Sequence, residues 1–119
     1  MQLASVRIFV TDLEAAARFY SDVVGLAESS HSGDAVVFGD EHPRVVVERA
    51  GEEAHEEKLV GRFTGVSFAA DDAGALHKSL TERSIATDGP PENQYWGGIF
   101  LHARDPSDNM ITFLQVERP

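Results

Sequence analysis

Four polar side chains could carry chemistry, because strand alternation places each of them on the inward face of its predicted strand. They are Arg7, Glu48, His102 and Thr112. Carboxylates and imidazoles are common general acids and bases, so Glu48 and His102 are the candidate catalytic residues. Each group also has a plainer interpretation. Arg7 and Glu48 could form a partly buried ion pair, since an unpaired buried charge is costly, and His102 could be a hydrogen-bonded core histidine.

Apolar side chains accompany these polar groups. Alternation directs four of them to the same inward faces, namely Phe9, Phe38, Phe100 and Met110. A mostly apolar surface with a few polar groups is typical of a small-molecule pocket. Tyr95 and Trp96 lie in a proline-rich loop. They could stack on a planar or cationic ligand, or pack as a lid over the core or at a dimer interface. Together with the four polar groups, these are the candidate ligand-binding residues.

The elements that must position these residues occur twice. In the first half, residues 3–10 alternate as a strand, and Thr11 with Glu14 predicts a capping box at the start of a helix. Apolar residues at helical spacing continue to Gly25, where we expect the helix to end. Three short strands are predicted after it, at 26–30, 35–38 and 44–49. The first half is therefore predicted to be βαβββ.

The second half repeats this order after an acidic stretch, GEEAHEEK. The pattern predicts a strand at 64–70, a helix from Asp71 or Asp72 to about Arg83, and strands at 85–88, 99–103 and 110–116. One βαβββ unit covers only one face of its sheet, so we expect two units that face each other. The prediction is an α+β fold in which two βαβββ modules form a curved, barrel-like mixed sheet with helices outside. We expect a single domain over 1–119, with module one at 1–50, an acidic linker at 51–62 and module two at 63–119.

Composition restricts the partners. The chain has 119 residues, a net charge of −10 at pH 7 and no cysteine. Nucleic acids are bound through basic surfaces, so we expect no nucleic-acid partner. The acidity favours cationic ligands or serves solubility alone. No apolar run is long enough to span a membrane, and no signal-peptide pattern is present. We therefore expect a cytoplasmic protein with no membrane partner.

Two motifs carry a family resemblance. VTDLEAAARFYSDVVGL and YWGGIFLHARDPSDNMITFLQ resemble the vicinal oxygen chelate superfamily, which includes glyoxalase I, fosfomycin and bleomycin resistance proteins, and extradiol dioxygenases. The second motif is most similar to the bleomycin-resistance branch. The resemblance covers nearly the whole chain, and it implies the paired βαβββ fold. It does not by itself imply one activity, because the superfamily hosts many chemistries.

The resemblance also locates a metal site. Metal-dependent members take ligands from the first strand and the last strand of each module, and these positions correspond here to Ser5, Glu48, Gly65 and Thr112. Only Glu48 keeps a side chain suited to a divalent ion, whereas a catalytic zinc site has about three protein ligands. We therefore expect no metal and no other cofactor. His102 lies where extradiol dioxygenases carry a catalytic tyrosine.

Three functions remain open from the sequence. The first is a metal-free protein that sequesters a hydrophobic, cationic or aromatic small molecule, as drug-resistance members do. The second is an enzyme of the glyoxalase or dioxygenase type, a lyase, isomerase or oxygenase that acts on a small oxygenated substrate. The third is an oligomerisation or regulatory module without a ligand. In each case we expect a homodimer, the commonest symmetric assembly.

Overall fold

The computed structural model describes residues 1–116. The chain divides into two compact units, one made of Met1–Arg62 with Pro106–Asn109, the other of Phe63–Asp105 with the chain from Met110 onward. Each unit contains a four-stranded mixed sheet and a helix that packs on one face of that sheet. The fold is therefore α+β with the predicted βαβββ order in each half. None of the helices within residues 1–116 combines the length and the hydropathy that a membrane-spanning helix requires.

The first sheet contains four strands in the order β1-β4-β3-β2. Their bounds are β1 Ser5–Val10, β2 Glu28–His31, β3 Ala35–Phe38 and β4 Arg44–Arg49. Strands β1 and β4 are parallel, and the other neighbouring pairs are antiparallel. Between β1 and β2 lie the helix α1, Leu13–Arg18, and a π-helical turn, Phe19–Val23. A short helix α2, Ala54–Glu57, forms within the predicted acidic linker, where no helix is predicted from the sequence.

The first helix begins one residue later than predicted. Its N-cap is Asp12, whose carboxylate accepts a hydrogen bond of 3.0 Å from the amide of Ala15. The prediction of a Thr11 cap is wrong because the Thr11 hydroxyl, the group that would cap the helix, lies 3.3 Å from the Ser107 hydroxyl, to which the Thr11 amide also donates at 3.0 Å. A carboxylate is an equally good N-cap group, so either residue satisfied the sequence pattern.

The helix-covered face of the first sheet forms the core of its unit. Ile8 and Val36 both lie beside Val47 in register, and all three are fully buried. The prediction that Phe38 points away from the helix is wrong. Phe38 is 1% exposed and its ring lies 6.4 Å from that of Tyr20, in the π-helical turn of the helical layer. All four residues of β3 are apolar, so alternation along that strand could not decide which face is covered.

The second sheet has the order β5-β8-β7-β6. Its strands are β5 Phe63–Ala69, β6 Glu92–Asn93, β7 Ile99–Arg104 and β8 Met110–Gln115, and its helix is α3, Ala73–Glu82. The Asp72 carboxylate caps α3 by accepting from the Ala75 amide at 2.9 Å. The strand predicted at 85–88 is reduced to a single bridge between Thr87 and Ala103, and the short strand β6 forms in the loop before β7 instead.

The turn Pro106–Asn109 joins β7 to β8, yet it groups with the first unit. Asn109 is fully buried and explains this grouping. Its Nδ2 donates to the carbonyl of Phe9 at 2.8 Å, and its Oδ1 accepts from the amides of Gly61 at 2.8 Å and Arg62 at 3.4 Å. One side chain therefore ties the end of β1 to the chain that leaves the acidic linker.

Candidate functional site

The first sheet carries an ion pair on its open face, the face opposite its own helix. Nε of Arg7 donates to Oε2 of Glu48 at 2.5 Å, and Nη2 donates to Oε1 at 3.0 Å. The guanidinium also lies over the ring of Phe9, 5.2 Å from its centroid. The hydrogen bond to Glu48, and then its charge, raise the pKa of Arg7 above its usual value. The ion-pair interpretation of these two residues is the one that the structure supports.

This pairing occupies the single acidic side chain at the four positions where the resemblance places metal ligands. Both carboxylate oxygens of Glu48 accept from Arg7, so a metal or a cationic ligand would have to displace the guanidinium. An open cavity of about 450 Å³ adjoins Glu48. On its rim, Asp34 is itself paired with Arg49 at 3.1 Å. The two ion pairs reduce the attraction that this surface would offer to a cation, although Glu52 and Glu56 also line the cavity.

In the second sheet, Gly65 lies at a position where the resemblance places a metal ligand, and its backbone conformation favours glycine. Gly65 has φ = +74°, a conformation that residues with a Cβ adopt at a cost. It lies in an irregular part of β5, where the register against β8 shifts between Phe63 and Ser67. A Cβ at Gly65 would have room, since its nearest neighbour is the Phe63 ring at 3.8 Å. Backbone conformation, and not lack of space, therefore disfavours a histidine at this position.

Thr112, at another metal-ligand position, is engaged by a neighbour. It lies directly opposite His102 in the antiparallel pair of β7 and β8, and its Oγ1 is 2.9 Å from Nδ1 of that histidine. Thr112 is 3% exposed. A neutral hydroxyl that already shares a hydrogen bond is a poor ligand for a divalent cation.

The donor set therefore does not fit the catalytic metal that the fold family implies. Glu48 is bonded to Arg7, Gly65 offers no side chain, and Ser5 and Thr112 offer only neutral hydroxyls. Within residues 1–116, ligand atoms of Glu53, His55 and Glu56 do lie within 4.8 Å of one another. That group lies in and beside the four-residue helix α2, with two of its three residues exposed, and exposed acidic clusters are common without an ion.

The open face of the second sheet carries a row of rings, which we call the aromatic row. It consists of Trp96, Phe100, His102 and Phe63. Consecutive ring centroids are separated by 5.8 Å, 5.7 Å and 6.3 Å in that order, all with tilted or edge-on geometry. Trp96 is 50% exposed and Phe63 is 61% exposed. Solvent therefore reaches both ends of a continuous aromatic surface.

Three other predicted ligand-binding residues of the second unit lie outside the aromatic row. Met110 and Thr112 lie on the same open face as the aromatic row, as alternation along β8 predicts. Tyr95 is fully exposed and takes part in none of the ring contacts described above. A cavity of about 300 Å³ in the second unit lies elsewhere and is lined by Ile99 and Gln115, which alternate with the row residues. None of the four rings of the aromatic row lines that open cavity.

Sequence reasoning missed Phe63 as a site residue. It lies at the start of β5, next to Met110 in register, and its ring contacts His102. The sequence gives little indication of this role, because the predicted strand begins at residue 64 and Phe63 is only the first residue of module two. An aromatic residue followed by Thr-Gly could have suggested an exposed ring before a backbone irregularity.

Comparison with known proteins decides the family. A family model described as the glyoxalase/bleomycin resistance protein/dioxygenase superfamily matches residues 2–113. The chain belongs to this superfamily. The resemblance inferred from the two sequence motifs is therefore confirmed at the level of the superfamily. No curated protein matches the chain.

Solved structures of the superfamily share the whole fold. A member from Sphaerobacter thermophilus is 24% identical with a TM-score of 0.80, and the match covers 97% of both chains. Lactoylglutathione lyase from Agrobacterium tumefaciens is 20% identical with a TM-score of 0.73, over 94% of this chain and 91% of that one. A glyoxalase/bleomycin resistance protein/dioxygenase from Nocardioides is 16% identical with a TM-score of 0.72, over 100% of this chain and 86% of that one. At these identities the likeness shows the fold alone.

Proposed function

We propose that this superfamily member binds a hydrophobic aromatic small molecule without a catalytic metal, on the open face of its second sheet. The aromatic row is the observation that carries the proposal. A planar ligand can stack on exposed rings and bury apolar surface at the same time, and each aromatic contact contributes about 0.5–1.5 kcal/mol beyond that burial. Such binding needs no reaction, and it would suit a protein that sequesters its ligand, as a drug-resistance protein does.

The ion pair between Arg7 and Glu48 in the first unit argues against a ligand that binds through a positive charge. A cationic ligand was one expectation, with Glu48 as its partner, but Glu48 is bonded through both oxygens to Arg7. The same pairing removes Glu48 as a free general base for a metal-free enzyme. We therefore propose an aromatic ligand that need not carry a positive charge. The net charge of −10 disfavours strongly anionic molecules.

A neutral fluorescent probe tests this function. N-phenyl-1-naphthylamine brightens in apolar sites, and we expect it to bind the wild-type protein with a micromolar dissociation constant. Trp96→Ala and Phe63→Ala each remove an exposed ring of the row and should weaken binding about tenfold. Tyr95→Ala removes an exposed ring outside the row and should leave the affinity unchanged. Binding weaker than millimolar, or equal effects of all three substitutions, would contradict the proposal.

Elemental analysis tests the metal-free part separately. Protein purified without a histidine tag should contain nickel, zinc and iron far below one equivalent per chain. A stoichiometric metal that survives dialysis would show that the donor set at Glu48 had been misjudged.

We also propose that the chain forms a two-fold homodimer, on the general preference of soluble proteins for such assemblies. Sedimentation equilibrium at micromolar concentration should give twice the mass of one chain. A single-chain mass at that concentration would contradict this part of the proposal and leave the aromatic row unaffected.

A further inference from the structure

We infer that Thr112 positions the imidazole of His102 so that its Nε2 supplies a polar contact within the aromatic row. The ligand is then an aromatic molecule with a hydrogen-bonding substituent at the edge of its ring. This inference rests on the proposed function, because it specifies the class of molecule that the row binds.

A hydrogen bond to Thr112 holds the Nδ1 side of the His102 imidazole in place. Nδ1 of His102 is 2.9 Å from Oγ1 of Thr112, and the two residues face each other across the β7–β8 pair. Threonine is β-branched and has few side-chain conformations, and Thr112 is almost completely buried. The hydroxyl is therefore a fixed anchor, and the hydrogen bond restricts rotation of the imidazole ring.

The other side of the imidazole remains available. Nε2 of His102 makes no hydrogen bond to any residue that the structure describes. The ring centroids of Phe100 and Phe63 lie 5.7 Å and 6.3 Å from that of His102, so an apolar ring flanks the imidazole on each side along the row. A purely apolar ligand that covered the row would strip water from Nε2 and leave the nitrogen unpaired, at a cost. A ligand with a polar group at this point avoids that cost, and this difference creates selectivity.

The tautomer of His102 sets which polar group is preferred. If the Thr112 hydroxyl donates to Nδ1, then Nε2 carries the proton and requires an acceptor on the ligand. If Nδ1 carries the proton and donates to Thr112, then Nε2 requires a donor. A hydroxyl substituent satisfies both cases, whereas a methoxy substituent satisfies only the first.

Three small naphthalenes test the inference by displacement of N-phenyl-1-naphthylamine from the folded protein. Naphthalene has no polar group, 2-methoxynaphthalene has an acceptor, and 2-naphthol has both a donor and an acceptor. We expect wild-type protein to bind 2-naphthol about fivefold more tightly than naphthalene, although 2-naphthol is the less hydrophobic of the two. The affinity for 2-methoxynaphthalene then identifies the tautomer.

Variants separate positioning from packing. His102→Phe keeps a ring but removes the nitrogen, so the preference of the protein for 2-naphthol over naphthalene should disappear. Thr112→Val keeps the shape of Thr112 without the hydroxyl and should reduce the preference about threefold, and Thr112→Ser should restore it. A merely structural role of Thr112 would instead change the affinities for all three naphthalenes together.

The outcomes distinguish this inference from the function beneath it. If His102→Phe keeps the full preference for 2-naphthol, the inference is wrong and the aromatic row still binds rings. If N-phenyl-1-naphthylamine and all three naphthalenes fail to bind wild-type protein, the proposed function is wrong, and this inference with it. If Trp96→Ala converts a dimer to single chains in sedimentation experiments, a second copy covers the row, and both are overturned.

Discussion

Asn109 allows the sharpest test of how the first unit is held together. Its side chain makes two hydrogen bonds of 2.8 Å, to the carbonyl of Phe9 and from the amide of Gly61, and it is fully buried. Asn109→Ala removes both, together with the longer contact of 3.4 Å from the Arg62 amide. A net hydrogen bond contributes about 1 kcal/mol, and a buried group left without a partner costs about 1 kcal/mol more. We therefore expect the free energy of unfolding to fall by about 3 kcal/mol, a large share of the usual stability of a domain.

Urea unfolding followed by circular dichroism measures this loss. The slope of the free energy against urea concentration should not change, because the surface exposed on unfolding is nearly the same. The matched control is Asn93→Ala, which truncates the other asparagine of the chain at an exposed site in β6. The control should change stability by less than about 0.5 kcal/mol.

Amide hydrogen exchange locates the effect within the molecule. Asn109→Ala should accelerate exchange at Gly61, whose amide loses its acceptor, more than at Leu101 within the β7–β8 pair. A stability loss below about 1 kcal/mol, or unchanged exchange at Gly61, would refute the reasoning, because the buried amide would then have no structural role.

Two further predictions concern aromatic side chains. Gly98→Ala would place a Cβ against the indole of Trp96, the only tryptophan, and should shift its fluorescence emission to longer wavelength; Gly33→Ala, where a Cβ meets nothing within 4 Å, should leave the spectrum unchanged. Tyr20→Ala would open a cavity in the core and should cost about 3–5 kcal/mol in thermal or urea unfolding, whereas Tyr95→Ala, at a fully exposed ring, should cost less than about 0.5 kcal/mol.

The order of the elements could be predicted because the same short pattern occurs twice. An alternating strand, an aspartate that can cap a helix, and spaced apolar residues are local signals, and each half contains all three. Alternation along β7 and β8 also placed Phe100, His102 and Thr112 correctly on one face. In these strands the polar residues His102 and Thr112 alternate with the apolar, buried residues Leu101, Ala103, Ile111 and Phe113, so the pattern separates the two faces.

The features that the sequence did not predict depend mostly on contacts between residues that are distant in sequence. The facing of Phe38 is fixed by the register of β3 against β4, which the sequence of β3 does not encode. The choice between Thr11 and Asp12 as the cap depends on Ser107, which contacts both the hydroxyl and the amide of Thr11. Glu48 carried the right chemistry for a ligand contact, but its state is set by Arg7, which lies 41 residues earlier. Gly65 was correctly noted as lacking a ligand side chain, and its positive φ could not be read from the sequence.

The turn Pro106–Asn109 has a consequence for how the protein is made. Ser107 bonds Thr11 across 96 residues, and Asn109 bonds Phe9 across 100 residues. During synthesis, the first half emerges from the ribosome long before these two side chains exist. These hydrogen bonds can form only after Ser107 and Asn109 have been translated. Although the two halves repeat one pattern, they are not interchangeable, because the earlier half is completed by a few residues encoded within the later one.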